Sequence, residues 1–100
     1  MTSQSRVELV LYVSPASIAC ARAQRVMESI LRGYDPASID FQVRDLTDET
    51  EHAARDRTLF TPTLVKRSPP PSVWVLGDLS LPWIVTDLLQ MCGISPLTAA

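Results

Sequence analysis

The chain has 100 residues, a formal net charge of -2 and 46% hydrophobic residues. That supplies one hydrophobic core and too little chain for a second, so a single domain over residues 1–100 is expected, ordered from about 6 to 94. Charged residues make up 20% and include no large basic field, which argues against nucleic acid as the main partner. Arg22, Arg25, Lys66 and Arg67 could form a local patch, although scattered solvated charge is the plainer reading.

The opening Met1-Thr2-Ser3-Gln4-Ser5-Arg6 lacks the apolar stretch of a secretory leader, and no apolar run is long enough to span a bilayer. Two cysteines, Cys20 and Cys92, make no disulfide framework. A cytoplasmic protein, not associated with a membrane, is therefore expected, in a bacterial cell.

Val7-Glu8-Leu9-Val10-Leu11-Tyr12-Val13 is nearly all apolar and rich in β-formers, as a strand buried on both faces should be. Ser14-Pro15-Ala16 breaks it. Ser17 is placed to cap a helix from about Ile18 to Arg32, with Ala19, Ala23, Val26, Met27, Ile30 and Leu31 on its apolar face. Gly33 suits the position just past its end. Ile39 to Arg44 alternates as a strand with one face in the core. Asp48 and Glu51 have the spacing of a capping box, and a second helix is expected from about Glu49 to Thr58.

Thr63-Leu64-Val65-Lys66 and Val73-Trp74-Val75-Leu76 are two short strands around the loop Pro69-Pro70-Pro71. Gly77-Asp78 ends the second. Ser80 is placed to cap a last helix with Pro82 in its first turn, an apolar face of Trp83, Ile84, Leu88, Leu89, Met91 and Cys92, and a stop at Gly93. Ser95 to Ala100 has the character of a tail. The order β-α-β-α-β-β-α predicts a parallel pair joined by a right-handed crossover, then a hairpin. This is an α/β, thioredoxin-like fold: a four-stranded mixed sheet flanked by helices.

In that fold the working site is a Cys-x-x-Cys opening the first helix, where the helix dipole favours the attacking thiolate. Here the stretch reads Ser17-Ile18-Ala19-Cys20. The attacking position carries a hydroxyl, which cannot enter thiol–disulfide exchange. Cys20 remains one turn inward, either a reactive thiol or, more plainly, a packed one. A Cys20–Cys92 bridge is left open by sequence alone. His52 is the only histidine and sits among charges, so a solvated helix face is the plainer reading. No ligand spacing for a metal, no phosphate-cradling glycine loop and no catalytic constellation is present, so no cofactor, metal or catalytic residue is expected. Thr61-Pro62-Thr63 stands where this fold places a cis-proline beside the edge on which it holds partner segments.

The run Thr61-Pro62-Thr63-Leu64-Val65-Lys66, then Pro69-Pro70-Pro71, then Gly77-Asp78-Leu79-Ser80, resembles the central signature of the KaiB family. Leu11-Tyr12-Val13 and the helix ending in Ile30-Leu31 fit the same pattern. The resemblance implies a non-enzymatic partner of KaiC, a ring-shaped RecA-like ATPase of the bacterial circadian clock, or a related stress-response role. It implies that some members exchange a thioredoxin-like form for another that assembles into tetramers. A thioredoxin-like domain of the same type also serves as the sensory part of a clock-associated histidine kinase.

Two departures stand out. Val73 and Trp74 replace a pair of arginines common in the family, and the last segment is shortened after Ser80 and lacks a glycine near Leu88-Leu89. The thioredoxin-like form, with a helix at the end, is therefore expected. The partner-binding residues expected on this reading are Ser17, Thr61, Pro62, Thr63, Lys66, Arg67 and Trp74. Two other readings are a thiol sensor using Cys20, and a homo-oligomeric sensor module, dimer or tetramer, without an ATPase partner.

Overall fold

The computed structural model describes residues 6–15, 17–46, 61–77, 79 and 82–97. The helix expected over Glu49–Thr58, His52 within it, and the cap expected at Ser80 lie outside these residues. Within them the chain runs β1 (Val7–Val13), α1 (Ile18–Leu31), β2 (Ile39–Asp45), β3 (Thr63–Ser68), β4 (Val73–Leu76) and α2 (Trp83–Met91).

The unbroken apolar run predicts that β1 is central, and it is. The sheet order is β2-β1-β3-β4. β1 pairs parallel with β2, Leu9 opposite Phe41, and antiparallel with β3, Leu11 opposite Leu64. β3 and β4 form the antiparallel hairpin, with Val65 opposite Trp74 and Lys66 opposite Val73. Cross-strand partners share a face of the sheet. One face carries Leu9, Leu11 and Leu64, packed with Ala23 and Met27 of α1 and Val85 and Leu89 of α2. The other carries Val10, Tyr12 and Val65, with Leu46 against them. Each fully buried leucine contributes about 1.5–3 kcal/mol. β2 alternates less cleanly than its sequence suggests: Ile39 is buried, but Val43 is exposed toward the end of this edge strand.

The helix ends are built differently from one another. Ser17 caps α1 as expected, its Oγ accepting from Cys20 N–H at 3.2 Å. Gly33 follows the helix but is not left-handed; the last turn instead tightens, with Gly33 N–H donating to Ile30 and Tyr34 N–H to Leu31, each at 3.1 Å. At the end of α2, Gly93 is left-handed (φ 83). Its N–H donates to Gln90 O and that of Ile94 to Leu89 O, both at 2.9 Å, a Schellman closure that the glycine makes inexpensive.

Pro82 sits at the N-cap of α2 with no side-chain cap bond. The buried residues of α2 are Val85, Leu88 and Leu89; Trp83 and Met91, expected in the core, are exposed because they are its first and last residues. Leu79 is left-handed (φ 59) yet buried, so its burial offsets a backbone cost of about 1–2 kcal/mol. The described part of the expected tail is tied down: Leu97 N–H donates to Gly33 O at 2.8 Å.

Candidate functional site

The end of the sheet at the C-terminus of β1 gathers the residues that the sequence singles out. β1 delivers Ser14, α1 starts at Ile18 beneath its Ser17 cap, and β3 begins at Thr63 directly opposite Tyr12. The Thr61–Pro62 bond is cis. Ser14 Oγ and Thr61 Oγ1 lie 2.6 Å apart, a hydroxyl bridge between segments 47 residues apart in the chain. Gly77 N–H donates to Pro62 O at 3.0 Å, which draws the end of β4 to the same corner. Gly77 reaches this bond with φ 105, a conformation rarely adopted by L side chains.

Cys20 lies inside this corner and is 2% exposed. Its Sγ accepts from Ser14 N–H at 3.2 Å, and its own N–H is held by the Ser17 hydroxyl. Cys20 and Cys92 are both free thiols, so no bridge joins them. The hydroxyl at the attacking position of the redox fold is thus a helix cap, and the remaining sulfur is a packed acceptor. A shallow cleft of about 470 Å³ opens beside them, lined among others by Ser14, Pro15, Ser17, Ile18 and Gln24. Among the described residues no three His, Cys, Asp or Glu side chains converge as metal ligands.

The expected partner-binding residues do not form one surface. Ser17 and Thr61 are half-buried at the corner; Pro62 and Thr63 are buried behind them. Trp74 lies on the edge strand β4, 40% exposed, sharing its face with Val65 and the more exposed Leu76. Arg67 is half-buried near the far end of β3. Lys66 does not belong to any open surface. It is 4% exposed and shares the face of Leu9, and its Nζ donates to Pro69 O at 2.6 Å. The alternation of β3 turns position 66 toward the helix-covered face.

Two residues of the site were not singled out from the sequence. Ser14 supplies the hydroxyl bridge, a non-local contact with no sequence signal. Ile18 is 75% exposed beside the cleft. Its signal was legible, because Arg22 and Arg25, four and seven residues on, place position 18 on the solvent stripe of α1.

The KaiB domain profile matches residues 10–91. The chain belongs to the KaiB family. It is 32% identical over 80 residues to the circadian clock oscillator protein KaiB of Prochlorococcus marinus MED4, covering 80% of this chain and 75% of that protein. It is 36% identical over 72 residues to the KaiB of Acaryochloris marina, covering 72% and 69%. Among solved structures, the N-terminal domain of Synechococcus elongatus SasA superposes with a TM-score of 0.73 at 20% identity, covering 93% of this chain and 89% of that one. Fasciola hepatica thioredoxin superposes with a TM-score of 0.71 at 16% identity, covering 86% and 80%. These likenesses establish the thioredoxin-like fold. In this KaiB-family chain the last described element is the helix α2, not a strand beside β4. Among the described residues no helix is long and apolar enough to cross a membrane.

Proposed function

We propose that this chain is a non-enzymatic binding module that regulates a KaiC-like RecA-type ATPase in circadian or stress-related signalling in the cytoplasm. The observation that carries the reading is the corner itself. It keeps the Thr61-Pro62-Thr63 edge on which this fold holds partners, bridged to Ser14, while the attacking position is a hydroxyl committed to capping α1. Membership of a family of clock proteins supports the same direction.

The partner surface proposed is the corner at Pro15, Ser17, Ile18 and Thr61, with Trp74 and Leu76 on the β4 edge and Arg67 at the far end of β3 as separate proposed contacts. Exposed large apolar side chains next to satisfied polar groups are the composition of interface anchors. Lys66 is excluded from it by its burial.

Titration calorimetry against a KaiC-like ATPase from the same genome, with ATP or ADP, tests the reading. Saturable binding is expected, weakened at least about tenfold by Ile18→Asp. Absence of binding at high protein concentration under both nucleotides overturns it.

A further inference from the structure

The chain contains nine Lys and Arg residues, and Lys66 is its single lysine. That one ammonium is also one of two buried polar or charged residues of the described core, at 4% exposure, and it reaches Pro69 O at 2.6 Å. A buried ammonium is costly unless paired, so a residue kept there without need would be expected to give way to an apolar one.

The loop that it touches explains the need. The last hairpin pair is Lys66 opposite Val73, and residues 67–72 lie between them, longer than the two to five residues of most hairpin loops. Within that loop Pro69, Pro70 and Pro71 carry no N–H. Three consecutive residues offer carbonyl acceptors and no backbone donor, so the usual N–H to C=O closure of a hairpin is unavailable to them. At Pro69 the donor comes from a side chain. Lys66 stands three residues before Pro69, and its ammonium is compact, with three donors that rotate freely about a flexible stem. A planar guanidinium is bulkier and fixed in its fork, which accounts for a lysine here in a chain that otherwise uses arginine.

We propose that Lys66 is a latch: its buried ammonium straps the proline loop down at Pro69 and so holds the edge strand β4, with Trp74, against β3. This does not rest on the identity of the ATPase partner. It assigns Lys66 a positioning role inside the fold, in place of a surface charge for recognition.

Backbone hydrogen exchange of wild-type and Lys66→Met chains tests the latch. Exchange of the Val73–Leu76 amides is expected to accelerate at least tenfold in the variant, with Leu9–Leu11 of β1 unchanged. Unchanged β4 exchange, or equal acceleration in β1 and β4, overturns the proposal, since the second pattern is that of a general core defect. Should the variant fail to fold, the wild type still decides. With a single lysine, acetylation by an N-hydroxysuccinimide ester reads one ε-amine, which is expected to react at least a hundredfold more slowly than free lysine. Reaction at the free rate overturns the latch.

Discussion

The two ends of β3 are fastened in contrasting ways. At the Thr63 end two contacts join segments well separated in sequence, Ser14 to Thr61 across 47 residues and Gly77 to Pro62, and a third, Ser14 to Cys20, ties the end of β1 to the start of α1. At the Ser68 end the contact spans three residues, Lys66 to Pro69. The corner therefore exists only once β1, α1 and β3 have assembled. The strap is closed within one hairpin, although the assembled sheet buries it. Closing a contact across 47 residues costs more loop entropy than closing one across three, so the corner depends more on the assembled fold. A surface for a partner placed at the corner inherits that dependence.

The largest test of this contrast is Leu64→Ala, which removes a side chain from the core under β3. A loss of about 2–5 kcal/mol is expected in a urea melt, with Cys20 labelling rising in step with unfolding. Labelling of Cys20 without any loss of stability would break the claim that the corner depends on the assembled core. Smaller, about 1 kcal/mol, is the cost of Ser17→Ala, through the lost cap, measured by the same melt. Ser17→Cys restores a dithiol at the helix start and is expected to lose two free thiols on mild oxidation, counted by mass. Thr61→Val and Ser14→Ala each cost about 1 kcal/mol and act on one bridge, so the double variant should cost less than the two combined. Strict additivity would show that the hydroxyls do not act together. The smallest effect belongs to Trp74→Ala, expected to change stability by less than about 1 kcal/mol because the ring is only partly covered, while weakening ATPase binding in calorimetry.

Much of the fold was legible because local chemistry dictates it. The apolar run of β1, the hydroxyl of Ser17 before the helix and the glycine after Met91-Cys92 each state their own geometry. The α2 face was misread at its ends, since Trp83 and Met91 keep helical spacing but have no turn beyond them to carry them into the core. Val85 was the residue that mattered there. Lys66 was misread because an ionisable side chain is ordinarily placed in water. The alternation from Leu64 pointed inward. The Ser14–Thr61 bridge could not be read at all, because nothing in either segment refers to the other.

The bond from Leu97 to Gly33 has a practical consequence. It anchors the C-terminal segment just past the far end of α1, whose 14 residues span about 21 Å from the Ser17 cap. A tether or fluorophore attached at Leu97 would thus sit on the side remote from the cleft. Immobilising the chain through that position would leave the corner facing solution, the orientation in which binding by the proposed partner could be timed directly.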